Sequence, residues 1–316
     1  MNERTVLVTG GSGFLGVQTL LQLLQLGYTV RTTVRSLDKK ERVLNALQAG
    51  GIIDVSPLSF YKADLTSDDG WNEAVSGSDY VLHVASPFPA SDPEDEMELI
   101  VPAMDGALRV LKAARRACVK RVVMTSSFAA IGYSPKPDGY VFSEEDWTNP
   151  QDSIQAYVRS KTLAEKAAWE YINTAEENME LTVINPVGIF GPAVGGISSA
   201  SLNVIRGIIS GDIKESPDFT MGVVDVRDVA DLHIKAMLAP EAAGERFIAT
   251  AEEIVSFYDV AQLIKKERPD RSTHIANMEP TPRKFYKGIS NEKAKSLLCW
   301  QPRRAQVAIL ASVDSL

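Results

Sequence analysis

Cysteine and histidine are scarce in this chain: 316 residues hold two cysteines, Cys118 and Cys299, and three histidines. Neither cysteine has a partner at zinc-binding spacing and the histidines are scattered, so no metal site is expected. Basic charge is short as well. Lys and Arg number 33 against 41 Asp and Glu, a formal net charge of −8. That balance lacks the basic footprint of a nucleic-acid binder and any polybasic hold on an anionic membrane. No apolar run is long enough to cross a bilayer. Met1-Asn2-Glu3-Arg4 runs straight into a strand-like stretch, which leaves no room for a signal peptide. Internal repeats and low-complexity segments are missing too. What remains is an ordinary globular composition, 45% hydrophobic and 23% charged, long enough for one large or two closely joined domains. The expectation is a cytoplasmic, reduced, metal-free protein that handles a small molecule.

The most informative stretch is Thr5-Val6-Leu7-Val8-Thr9-Gly10-Gly11-Ser12-Gly13-Phe14-Leu15-Gly16. Thr5 to Thr9 is β-branched and apolar, as in a strand buried on both faces. Gly10, Gly13 and Gly16 punctuate a turn into a helix that runs to about Leu26 and stops at Gly27. A pyrophosphate needs backbone N–H groups at close range, a turn without Cβ obstruction and a helix N-terminus. Gly10, Ser12, Gly13, Phe14, Leu15 and Gly16 are therefore the first cofactor candidates. An ordinary strand–turn–helix with incidental glycines is the competing reading.

The second strand, Thr29 to Val34, ends at Arg35-Ser36, with Lys40 close behind. An acid at this point takes the adenosine ribose hydroxyls of NAD, whereas a guanidinium accommodates a 2′-phosphate through a bidentate fork. Arg35, Ser36 and Lys40 thus favour NADP, although Asp38 keeps NAD open. Ligands of parallel sheets sit beyond the C-terminal strand ends. That rule singles out Asp64 and Leu65 for the adenine, with Thr66 as a cap for the next helix. It also singles out Val84, Ala85, Ser86 and Phe88 at the end of the fourth strand, Tyr80 to Ala85, and Thr125-Ser126-Ser127 at the end of the fifth, Val122 to Thr125. His83, inside its strand, is expected to be a core histidine. Pro93 to Cys118 is expected to be a long helix, kinked or interrupted at Pro102. Gly132 to Pro150 is an irregular stretch over the active face.

A helix from about Ser153 to Thr174 carries Tyr157 and Lys161 one turn apart on the same face. The lysine is expected to lower the phenol's pKa and make it a usable proton donor. Pro186 and Val187 follow the sixth strand and face a nicotinamide carboxamide. Gly195 to Ser199, with Ser198 and Ser199, is expected to be a flexible loop closing over the pyrophosphate.

Taken together, Thr9 to Gly16, Thr125-Ser126-Ser127 and Tyr157 to Lys161 resemble the motifs of the extended short-chain dehydrogenase/reductases. Leu82 to Phe88, Asn185-Pro186-Val187 and Val224 to Ala230 are similar to the dihydroflavonol-reductase-like branch, which includes fungal NADPH aldehyde (carbonyl) reductases. Leu297 to Arg303 resembles the family's Leu-Gly-Trp-x-Pro-Arg, with Cys299 in place of glycine. The resemblance implies an α/β fold, a Rossmann doubly wound parallel sheet with a smaller discontinuous C-terminal substrate-binding lobe. Residues 1–186 plus 223–249 would form the NAD(P)-binding domain, and 187–222 plus 250–316 the lobe.

The resemblance also implies NADPH-dependent reduction of an aldehyde or ketone to an alcohol. Tyr157 would be the proton donor, Ser127 the carbonyl polariser and Lys161 the ribose contact, with Ser126 replacing Ser127 if the register shifts by one. Phe88, Ser127, Phe128, Tyr157 and Val187 would touch substrate. Phe128-Ala129-Ala130-Ile131 is apolar where plant flavonoid reductases carry a polar residue, which favours smaller or more hydrophobic carbonyls. A homodimer through the two long helices is also implied. The alternatives are an NAD-dependent NDP-sugar epimerase/dehydratase, which prefers an acid at the place of Arg35, and a non-catalytic dinucleotide-sensing regulator, which lacks the Tyr/Lys pair.

Overall fold

Strand one divides the core in two. Along an extended chain successive side chains point to opposite faces: Val6 and Val8 enter one apolar cluster and Leu7 enters another. The neighbouring strands repeat the division, with Leu82, Val123 and Ile184 on the first face and Val81, Val122 and Val183 on the second. Both faces are therefore covered, and each fully buried Val or Leu contributes roughly 1.5–3 kcal/mol.

The computed structural model describes residues 4–87, 94–174 and 179–316. In chain order it begins β1 (Thr5–Thr9), α1 (Phe14–Gln25), β2 (Thr29–Val34), α2 (Lys40–Ala49), β3 (Leu58–Lys62), α3 (Trp71–Val75) and β4 (Tyr80–His83). Next come α4 (Met97–Arg116), β5 (Arg121–Thr125), β6 (Val141–Phe142), α5 (Ala156–Asn173), β7 (Glu180–Pro186), β8 (Gly188–Phe190) and α6 (Ala200–Ser210). The chain finishes with β9 (Met221–Asp225), α7 (Val226–Leu238), β10 (Arg246–Ala249), β11 (Ile254–Val255), α8 (Phe257–Glu267), β12 (Gly288–Ile289), α9 (Glu292–Leu298) and α10 (Ala305–Asp314).

Seven strands form one sheet in the order β10-β7-β5-β4-β1-β2-β3, and every pairing in it is parallel. The order reverses between β1 and β4, the switch point where a doubly wound sheet opens a crevice. Residues of α1, α2 and α7 join the first apolar cluster, and residues of α3, α4 and α5 the second. This is the α/β doubly wound sheet expected from the sequence.

A second sheet joins β8, β9 and β11. It packs with α6, α8 and α10 around Phe190, Val223, Ile205, Ile264 and Ile309. Strand β9 thus pairs with β8 and β11 rather than with the large sheet. A third, two-stranded pairing sets β12 beside β6. It ties the irregular stretch after β5 to the C-terminal part of the chain, with Ser290 donating to the Phe142 carbonyl at 2.9 Å.

Two expectations about helices are corrected. Pro102 neither ends nor interrupts α4, which is helical on both sides of it. The carbonyl it leaves unpaired, four residues back, belongs to Glu98, an exposed residue where the missing bond costs less than in a buried turn. Thr66 does not cap the following helix. It donates from its N–H and hydroxyl to Asp64, and α3 starts only after Gly70, whose φ of 81° makes the turn. Among the described residues no helix is long and apolar enough to cross a membrane.

Candidate active site

The glycine turn builds the floor of the crevice. Gly10 has φ of 72°, and a Cβ there would stand 2.9 Å from the Ala85 Cα. A Cβ on Gly16 would meet the Gly10 carbonyl at 2.2 Å. Both positions exclude any side chain, which lets the strand, turn and helix close on one another. Gly13 caps α1 without a side-chain hydrogen bond, so first-turn N–H groups of a twelve-residue helix remain for an anion. These features fit a dinucleotide pyrophosphate.

One cleft of about 1700 Å³ runs from this turn to the small sheet. Its wall includes Gly10, Ser12, Gly13, Phe14, Leu15, Gly16, Arg35, Asp64, Leu65, Val84, Ala85, Ser86, Thr125, Ser127, Phe128, Tyr157, Lys161, Pro186, Val187, Ser198 and Ser199. Nearly all the residues singled out in the sequence are therefore neighbours in space. Ser36 and Lys40 are not on this wall: the chain turns away at Leu37–Lys39, and the Lys40 ammonium lies over the Phe60 ring at 5.6 Å. Phe88 falls outside the described residues. Arg35 is exposed at the end of β2, and among the described residues it makes no ion pair. Its charge, after the Thr66 hydrogen bond, helps hold Asp64 below the usual carboxylate range. Asp64 thus stays an acceptor beside Leu65.

The 195–199 loop has contacts to the scaffold. Ile197 is buried in the first core, and a Cβ on Gly195 would sit 2.5 Å from the Ala46 backbone. Ser199 accepts from the Leu202 N–H and caps α6, while Ser198 accepts from Arg206.

The two serines after β5 are told apart by their partners. Ser126 is buried and donates to Glu165 at 2.5 Å. Ser127, with φ −160° and ψ 153°, points the other way and is hydrogen-bonded to the Tyr157 phenol. It also accepts from the Ala129 N–H at 3.1 Å. Lys161, 8% exposed, donates to the Ser86 hydroxyl at 2.8 Å. Its ammonium stands 6.0 Å from the centre of the Tyr157 ring.

The electrostatics correct one expectation. Burial pushes the Tyr157 phenol above its ordinary pKa, the Ser127 hydrogen bond draws it back and the neighbouring Tyr133 phenol adds to the rise. Lys161 is not what governs it. Burial lowers the lysine itself to about 8, against the upward pull of Glu165. The phenol is therefore a loaded proton donor at neutral pH, beside an ammonium poised near neutrality.

The two buried histidines belong to the scaffold. His83 Nδ1 lies 2.8 Å from the Thr9 hydroxyl, and burial, followed by the charge of Lys161, lowers it to about 3. His233 bridges the Thr125 hydroxyl and the Val229 carbonyl, so the Thr125 side chain is committed to the scaffold.

The cleft also holds residues that the sequence did not single out: Tyr133, Phe142, Phe219, Met221, Phe285 and Ile289. Four are aromatic and lie in irregular or very short elements. Aromatic residues inside Pro/Gly-rich stretches were the one signal available. With Phe128 they give the cleft an apolar stretch of wall.

Residues 6–249 match the model of the NAD dependent epimerase/dehydratase family. A Medicago truncatula cinnamoyl-CoA reductase, CAD2, is 34% identical over 318 residues, covering 98% of this chain and 95% of that protein. The crystal structure of yeast methylglyoxal/isovaleraldehyde reductase Gre2 complexed with NADPH superposes with a TM-score of 0.88 at 28% identity, covering 98% of this chain and 97% of that one. Gre2 of Candida albicans, also in complex with NADPH, gives 0.87 at 27% identity, covering 99% and 98%.

Proposed function

The chain belongs to the NAD dependent epimerase/dehydratase family, among its extended short-chain dehydrogenase/reductases, and from that premise we propose that Tyr157, Ser127 and Lys161 are its catalytic set. The protein is an NADPH-dependent oxidoreductase that reduces aldehyde or ketone carbonyls to alcohols. The observation that carries the site assignment is the Tyr157–Ser127 hydroxyl pair on the cleft wall, with buried Lys161 one turn along the same helix.

NADPH, when bound, supplies the hydride that reduces the carbonyl carbon. The glycine turn and the N-terminus of α1 would hold its pyrophosphate, Arg35 its 2′-phosphate, and Asp64 with Leu65 its adenine. Lys161 would take the nicotinamide ribose, and Pro186 and Val187 would border the carboxamide. Ser127 and Tyr157 converge on one carbonyl oxygen. Ser127 donates a hydrogen bond that polarises it, and Tyr157 gives its proton as negative charge develops there. Burial helps, because a high phenol pKa keeps the proton in place until the alkoxide forms. Lys161 then offsets the charge left on the phenolate.

The apolar wall of Phe128, Tyr133, Met221 and Phe285 suits a carbonyl compound with an aliphatic or aromatic body. We divide the chain into a cofactor domain of 1–186 plus 226–249 and a substrate lobe from the remainder. The boundary shifts from 223 to 226 because β9 pairs within the small sheet. The same reading assigns a homodimer to the face of α4 and α5, where Met97 and Val101 are exposed. It also assigns a reducing compartment, the cytoplasm, since both thiols are exposed and free.

The test is consumption of NADPH and NADH, in parallel, across aliphatic aldehydes, aryl ketones and β-keto esters. Alcohol formation with NADPH on several of these supports the assignment. Turnover of a sugar nucleotide with tightly held NAD, and none of a carbonyl, contradicts it.

A further inference from the structure

Beneath the hydroxyl pair lies a buried carboxylate that the reaction as described does not use. Glu165 sits one turn beyond Lys161 on α5 and is fully buried. One of its oxygens accepts from the Ser126 hydroxyl at 2.5 Å and from the Asn185 amide at 2.7 Å. The other accepts from Arg246 Nε at 2.6 Å. Asn185 also donates to the Ser127 carbonyl at 3.1 Å. Arg246 reaches the carbonyls of Glu144 and Asp146 and lies 3.7 Å over the Trp147 ring.

We propose that Glu165 is the positioning residue of this site, one carboxylate that locks the ends of β5 and β7 to the helix carrying Tyr157 and Lys161. The proposal rests on the reading of Tyr157, Ser127 and Lys161 as the catalytic set. The argument is geometric. Ser127 follows Ser126 in extended backbone, so anchoring Ser126 inward turns Ser127 outward toward the phenol. Asn185 fixes the backbone of Ser127 itself and precedes Pro186 and Val187 on the cleft wall. Donors from three strands of the large sheet, β5 through Ser126, β7 and β10, therefore converge on a single group of α5. A buried ion pair is weak support for stability, and its best-attested use is to specify one arrangement. Here the arrangement specified is the distance from serine to tyrosine.

A second consequence concerns charge. Among the described residues, the ionisable groups facing Lys161 are Tyr157 and Glu165 on its own helix and His83 from β4, with Arg246 behind Glu165. His83 is neutral, so Glu165 is the group that sustains the ammonium.

The experiment compares full-length wild type, Glu165→Gln, Ser126→Ala and Tyr157→Phe by NADPH binding, kcat, KM and pH profile. Glutamine matches the shape but presents an amide donor where the carboxylate accepted, so one of Ser126, Asn185 or Arg246 loses its partner. We expect Glu165→Gln to bind NADPH within about twofold of wild type and keep its KM, while kcat falls on the order of 10²-fold from the displaced serine. The alkaline limb of its profile moves to lower pH, a shift that packing damage alone does not produce. Wild-type kcat with an unmoved limb overturns the proposal. If Glu165→Gln fails to fold or to bind NADPH, Ser126→Ala decides: a severalfold loss of kcat at unchanged NADPH affinity supports the proposal, and an unchanged kcat overturns it. Tyr157→Phe separates the two levels. If it stays active, the catalytic reading itself fails. If it is inactive while Glu165→Gln and Ser126→Ala are normal, only the positioning role fails.

Discussion

The Lys161 ammonium donates to the Ser86 hydroxyl across 2.8 Å, joining the end of β4 to the helix that carries Tyr157. The two residues are 75 positions apart in sequence, yet both face the crevice at the switch point. Burial holds this lysine at about 8, so its charge drains away as pH rises through that value. The rate should fall along an alkaline limb near pH 8, read from kcat/KM for a carbonyl at saturating NADPH. A profile that stays flat well above that limb contradicts the assigned role.

Neighbouring hydroxyls give a sharper contrast. Ser127 faces the phenol and Ser126 faces Glu165. Ser127→Ala removes a donor aimed at the developing oxyanion and should cost roughly 10²-fold in kcat, the scale of a lost oxyanion contact. Ser126→Ala should cost at least tenfold less, because its effect is indirect. The reverse order of severity moves the polarising role to Ser126.

Arg35 is the test of cofactor choice. Its guanidinium is exposed at the rim of the cleft, and its removal leaves a 2′-phosphate without a fork. Arg35→Ala should raise the Kd for NADPH by roughly 10–100-fold, the loss of one or two charge-assisted hydrogen bonds. The Kd for NADH should stay within about threefold. Equal losses for the two nucleotides contradict the phosphate contact.

Cys299 stands where the resembling family carries glycine, and the backbone explains why glycine belongs there. Its φ of 48° lies in the left-handed region that closes α9. That conformation costs an L-residue roughly 1–2 kcal/mol, partly offset by the greater freedom glycine has when unfolded. Cys299→Gly should therefore stabilise the fold by about 0.5–1 kcal/mol and raise Tm by roughly 1–3 °C. A lower Tm contradicts this account of the turn.

The buried histidines set an acid limit. His83 and His233 are held at about 3 and about 4, below their ordinary 6.5. Unfolding lets both take up protons, so the stability they protect is whole above about pH 6.5 and is lost as pH falls toward 4 and then 3. Thermal melts at fixed ionic strength should show Tm declining from pH 6.5 to 4.5. A Tm that holds level across this window contradicts the neutral, buried assignment.

Much of the cofactor half was legible from sequence because its signals are local. Strands Thr5–Thr9 and Thr29–Val34 are short apolar runs bounded by turn residues, and the structure has the same limits. The serine pair and the Tyr157–Lys161 spacing are likewise local. What escaped depends on distant pairing. Glu165 meets Arg246 across 81 positions, and a glutamate inside an amphipathic helix gives no sign that it is fully buried. Strand Met221–Asp225 has the pattern of a main-sheet strand, and only its partners, Gly188–Phe190 and Ile254–Val255, assign it to the small sheet. The interruption allowed for at Pro102 does not occur, since the carbonyl left without its bond belongs to exposed Glu98. The pKa of Tyr157 was misjudged because spacing reveals proximity to a lysine but says nothing about burial.

The most direct measurement is the initial rate of NADPH consumption by wild type and Tyr157→Phe on one good aldehyde substrate, with NADPH affinity measured for both. Removing the phenol's proton should lower kcat by roughly 10²–10⁴-fold, the usual worth of a positioned general acid, while the Kd for NADPH stays within about twofold. A Tyr157→Phe enzyme that binds NADPH normally and reduces the aldehyde near the wild-type rate contradicts the account.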